Sequence, residues 1–111
     1  MEMQPGKAGN GTLVEVVKDK VYRRMGAHGE RLMLVEVLFE TGAEGARHSH
    51  PHAQISYCLS GEFDYSIEDR VIRLTPGDSV AVPGAVVHGT RCVAKGILID
   101  VFTPPRNDFL A

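Results

Sequence analysis

Short runs of β-branched and aromatic residues, punctuated by glycine and proline, recur along this chain, and no segment carries a convincing helical period. "LMLVEVLFE" (32–40), "ISYCLSG" (55–61), "EFDYSIED" (62–69), "RVIRL" (70–74), "SVAVP" (79–83) and "GILIDVF" (96–102) read as strands. The twelve glycines and six prolines fall mostly between them, at "TGAEG", "SGE", "TPGD" and "PGA". That spacing predicts an antiparallel all-β sandwich or barrel and excludes helical bundles and βαβ architectures.

At 111 residues and 43% hydrophobic, the chain has enough apolar material for one core and no room for a second domain. A formal charge of −2, with the basic residues scattered among acids, offers no electrostatic footprint for nucleic acid or an anionic membrane. A small molecule is the expected partner. The opening "MEMQPGKAGNG" lacks a basic region followed by an apolar segment, so residues 1–11 are expected to be a flexible lead-in to a domain over 12–111, and the location cytoplasmic. Cys58 and Cys92 show no C-x-x-C pairing and are expected to be buried thiols.

The segment "RHSHPHAQ" (47–54) concentrates His48, His50 and His52. In an extended strand these side chains and Gln54 would share a face, although Pro51 interrupts such a run. Imidazoles two residues apart on one face stand about 6–7 Å apart at the backbone, close enough to share a cation. A solvated histidine-rich loop is the plainer alternative.

Glycine spacing bears on that choice. Gly42, His48, His50, Gln54 and Gly61 form G-x5-H-x-H-x3-Q-x6-G, and Gly77, Pro83, Ala85, His88 and Cys92 follow G-x5-P-x-G-x2-H-x3-N with Ala85 and Cys92 at its second glycine and its asparagine. The pair resembles the two motifs of the cupin superfamily, whose first motif usually has Glu where this chain has Gln54. The resemblance implies a double-stranded β-helix, or jelly-roll barrel. It also implies one divalent metal ion per chain, of the Ni, Zn, Fe, Mn or Co type, held by His48, His50, Gln54 and His88. The departures at Ala85 and Cys92 touch turn geometry and packing. His52 is expected to lie outside the ligand set, and His28, in "GAHGE", to be an ordinary exposed histidine.

With neutral ligands the ion keeps its full charge, which suits polarising a substrate oxygen better than the redox chemistry of sites that include a carboxylate. The competing reading of Gln54 is a degenerate site that binds metal weakly. Near the C-terminus, alternation places Leu98, Asp100 and Phe102 on one face, with an acid among apolar neighbours. Asp100 is then either a paired structural residue or an acid/base with a raised pKa. Arg106, after "TPP", presents a fork suited to a carboxylate or is an unremarkable surface residue.

"HSHPHAQISYCLSGEF" and "IDVFTPPRNDFL" together resemble the KdgF-type cupins of pectin and alginate breakdown, over roughly 32–110. The resemblance implies a metal-dependent homodimer that linearises 4,5-unsaturated monouronates to the open-chain 5-keto-4-deoxyuronate. Catalytic roles are carried over to Asp100 and Arg106, and substrate binding to Phe102 and Arg106. A metal-dependent dioxygenase and a non-catalytic sugar-binding cupin are the alternatives, since one fold hosts many functions.

Overall fold

The computed structural model describes residues 14–110, so the lead-in expected at 1–11 lies outside the described residues. Among the described residues the strands are β1 (Val14–Lys18), β2 (Val21–His28), β3 (Met33–Phe39), β4 (Glu44–His48), β5 (Ala53–Ile67), β6 (Arg70–Leu74), β7 (Ser79–Val82) and β8 (His88–Thr103). A short 3-10 turn, Asn107–Phe109, follows a cis Thr103–Pro104 bond. All pairings are antiparallel, in the order β1-β2-β3-β8-β5-β6, with β4 on β8 and β7 on β5.

Two long strands generate this roll. β5 and β8 pair from Ala53↔Thr103 to Ile67↔His88, and each changes its other neighbour midway. β5 pairs with β7 over 54–57 and with β6 over 63–67, whereas β8 pairs with β4 at its start and with β3 over 96–102. The exchange happens where the register shifts around Ser60 and Glu62. A Cβ on Gly61 would collide with the Ala94 carbonyl, and one on Gly96 with the Ser60 carbonyl. Only glycines let the backbones close at this crease, and Gly61 also has a φ of 80°. The sequence reading that ended one strand at "SGE" and began another is corrected accordingly: the glycine creases a continuous strand. Likewise 96–102 is the end of the sixteen-residue β8, and β1, β2 and β4 add strands where none was expected.

Alternation along β5 and β8 turns one set of residues inward. Cys58, Phe63, Tyr65, Cys92 and Leu98 are buried against Phe39, Leu74 and Val82. Phe39 and Phe63 meet edge-to-face with centroids 5.3 Å apart, a favoured aromatic geometry. Both cysteines are free and buried, as expected. A second cluster of Met33, Val35 and Phe102 packs toward Phe109. Between the clusters a cavity of about 340 Å³ opens.

Candidate active site

His48 closes β4 and stands opposite His88, which opens β8. His50 lies in the loop between β4 and β5, and Gln54 near the start of β5. The chain breaks at Ser49–His52, around the Pro51 that interrupts an extended run, and topology rather than strand alternation gathers the imidazoles. The turn of the second motif braces this loop. The Ala85 amide donates to the His50 carbonyl at 2.7 Å, and a Cβ on Gly84 would strike the Pro51 carbonyl. One nitrogen from each of His48, His50 and His88 falls within 4.8 Å of the others.

Backbone acceptors decide which nitrogens converge. The Nδ1–H of His48 donates to the Ala46 carbonyl at 2.7 Å, that of His50 to His52 at 2.9 Å and that of His88 to Val86 at 2.9 Å. Each neutral ring thus carries its proton on Nδ1 and offers the Nε2 lone pair to the cluster. The Gln54 amide nitrogen donates to Ser56 Oγ and to the Tyr65 hydroxyl, both at 3.1 Å, which turns Oε1 toward His50 Nε2 at 2.8 Å. Two acceptors at that separation repel unless a cation lies between them. Protonation is a poor solution at His50, because burial, followed by the charge of Arg106, lowers its pKa. Burial lowers that of His88 as well, and its buried Nε2 has no partner among the described residues. Three imidazole nitrogens and an amide oxygen fit a divalent transition ion.

The acid site adjoins this group. Asp100 shares the inner face of β8 with Leu98 and Phe102, and its Oδ1 accepts from Ser56 Oγ at 2.6 Å. Ser56 has one proton, so Tyr65 must donate in the 2.9 Å bond between the two hydroxyls. A single directed network then runs from the Gln54 amide through Tyr65 and Ser56 to Asp100. Burial pushes the Asp100 pKa up to about 6, against the opposing pull of Ser56 and Arg106. Burial and then the Asp100 charge also raise that of Tyr65, which stays a neutral donor. Sequence reasoning missed Ser56 and Tyr65. Their signal was a polar residue at inward positions of β5, where Ser56 is 0% and Tyr65 2% exposed.

The C-terminal turn covers one side of the cavity. Phe102 packs edge-on against His50 at 5.8 Å and against Phe109 at 5.8 Å. Arg106 lines the cavity, and its fork is engaged by Asp108, through Nε at 3.0 Å and Nη2 at 2.9 Å. His52 lies beside His50, ring centroids 5.4 Å apart, outside the convergent group. His28 differs from expectation: it ends β2 half-buried, with its Nδ1 buried and unpartnered among the described residues.

Comparison with known proteins agrees with this geometry. The family model for the cupin domain matches residues 35–102. The pectin degradation protein KdgF of Dickeya dadantii (strain 3937) is 37% identical over 98 residues, covering 86% of this chain and 89% of that protein. The solved structure of KdgF from Halomonas sp. superposes with a TM-score of 0.85 at 33% identity, covering 92% of this chain and 99% of the other. An RmlC-like cupin from Shewanella frigidimarina NCIMB 400 superposes at 0.91 with 40% identity, covering 98% and 99%. The matched span contains all four residues of the histidine and glutamine group and runs to Phe102, and with relatives this similar over nearly their whole length, the chain belongs to the cupin family, alongside the KdgF proteins.

Proposed function

We propose that this protein converts 4,5-unsaturated monouronates, the sugars released by pectin or alginate lyases, into the open-chain 5-keto-4-deoxyuronate. The observation that carries the reading is the network joining the metal-type group at Gln54 to a raised-pKa carboxyl at Asp100 inside one cavity. Similarity to KdgF proteins over nearly the whole chain supports it.

His48, His50, Gln54 and His88 would hold the divalent ion. When bound, such an ion supplies Lewis acidity that favours negative charge on a substrate oxygen. The chain's own residues account for the proton movements. At neutral pH Asp100 is ionised and takes the proton from the C1 hydroxyl; the C1–O5 bond breaks with its electron pair going to O5, leaving an aldehyde and a conjugated enolate. Delivery of the same proton to C4 completes the 5-keto product with no net gain or loss of atoms. Ser56 holds Asp100 in place, Phe102 walls the ring from water, and Arg106 orients the carboxylate through its remaining N–H groups.

A homodimer belongs to the same proposal. On the outer face Ile55 and Tyr57 stand opposite Val101 and Ile99, and Ile55, Tyr57 and Leu59 are 50%, 39% and 46% exposed, an apolar strip suited to a second copy.

The decisive experiment follows the ultraviolet absorbance of unsaturated galacturonate with purified, metal-loaded protein, with NMR identifying the product and a protein-free control for spontaneous opening. Loss of the conjugated double bond well above that control is expected. Binding of metal and uronate without acceleration would replace this reading with that of a sugar-binding cupin.

A further inference from the structure

The mechanism leaves two cavity-lining cations unused, the exposed Lys18 on β1 and the half-buried Arg23. Arg23 is borne by β2, and in the ladder it stands between Glu15 on β1 and Val37 on β3, with Val37 opposite the inward Leu98. Its side chain is only 17% exposed and lines the same cavity as Gln54, Asp100 and Arg106. The Arg23 guanidinium lies 3.7 Å from the Phe109 ring centroid, and that of Arg106 lies 4.3 Å from the same centroid. Two cations on one aromatic ring repel each other, and each is offset by an acid, Arg23 by Glu15 on β1 and Arg106 by Asp108 two residues along its own turn.

Those offsets are unequal. Asp108 grips Arg106 at 2.9–3.0 Å, whereas Glu15 reaches Arg23 at 3.3 and 3.4 Å; the two carboxylates are 58% and 47% exposed, so bond length and not solvation separates the pairs. The longer bonds are the weaker and the more readily exchanged. Neither arginine uses Nη1 in a hydrogen bond to the described residues. Both guanidiniums and the Phe109 ring they contact line the cavity, and the one with the weaker internal acid is Arg23.

We propose that Arg23 is a specificity-determining residue that joins Arg106 in holding the carboxylate of an anionic sugar, with Glu15 as the internal competitor that the substrate displaces. This rests on the uronate reading above. It adds a physical reason why a site of this shape would select sugar acids over neutral sugars: an uncharged ligand could not compensate Arg23 for losing Glu15.

The test uses the metal-loaded full chain and two variants, Arg23→Gln and Glu15→Gln. Arg23→Gln keeps the length and loses the charge, so KM for unsaturated galacturonate should rise about tenfold with kcat within about twofold. Calorimetric affinity for saturated galacturonate, a non-reacting probe, should fall by the same factor. Glu15→Gln should act in the opposite direction, lowering KM and tightening galacturonate, because the competing anion is gone. A merely structural Arg23–Glu15 tie predicts that both variants weaken binding or lower the melting temperature together. That result, or unchanged KM and galacturonate affinity in Arg23→Gln while the parent is active, overturns the inference alone. A parent that neither turns over the unsaturated sugar nor binds galacturonate overturns the uronate reading and this inference with it.

Discussion

Asp100 carries a stability cost at the position to which the proposed mechanism assigns the base. Its pKa of about 6 lies above the ordinary 3.8, so between those values the folded chain holds a proton that the unfolded chain releases. The stability tied to this group is present below the ordinary value and is lost as pH rises through 6. In metal-stripped protein above that pH, Asp100→Asn should therefore gain on the order of 1–3 kcal/mol by urea unfolding, with no gain in strong acid. The same variant should lose roughly 10²–10⁴-fold in turnover while still binding metal, since it keeps the shape and loses the base. Parent-like turnover would make Asp100 structural. Ser56 donates the bond that stabilises the charged carboxylate, so Ser56→Ala should move the acid limb of the pH–rate profile to higher pH. An unmoved limb would show that another group sets that limb.

Elements in this fold are shaped by a few backbone positions. Ala85 adopts φ 68°, in the left-handed region that glycine tolerates and alanine resists, and its amide anchors the His50 loop. Ala85→Gly should raise stability by up to about 1 kcal/mol in urea titration and leave metal affinity intact. A destabilised variant would mean that the alanine methyl contributes packing that outweighs the strain. The crease behaves oppositely. Gly96→Ala must push the Ser60 carbonyl aside and should cost roughly 1–3 kcal/mol, because a backbone neighbour cannot swing away as a side chain can. No loss of stability would imply that β5 and β8 slide past one another at the crease.

For the whole molecule, binding of an ion by the proposed ligands would couple to folding through neutral imidazoles. Burial lowers the pKa of His50 and His88, so proton competition should begin below the ordinary histidine value of 6.5, with affinity steady near neutrality and falling in acid. Isothermal titration across pH checks this, and affinity unchanged through that range would refute the ligand set. His88→Ala should abolish occupancy by elemental analysis, and chelation should lower the parent's melting temperature. Scattering should give a dimer mass for the parent and a monomer mass for Tyr57→Lys, if the apolar strip is the interface. Much of this molecule could be read from its chain, and the reason is local. The runs at 32–40, 70–74 and 79–83 carry their own strand signal, and the spacing of His48, His50, Gln54 and His88 survives any detail of the loop between them. β4, "EGARH", lacks the apolar alternation by which a strand announces itself. β5 was legible only in two pieces because a crease glycine looks locally like a turn. What tertiary structure alone decided are the contacts between distant segments: Ser56 to Asp100 across 44 positions, Tyr65 to Gln54 across 11, and Arg23 and Arg106 meeting on Phe109. A sequence pattern can say which face a residue takes on its own strand, but which strands become neighbours depends on closure of the whole roll.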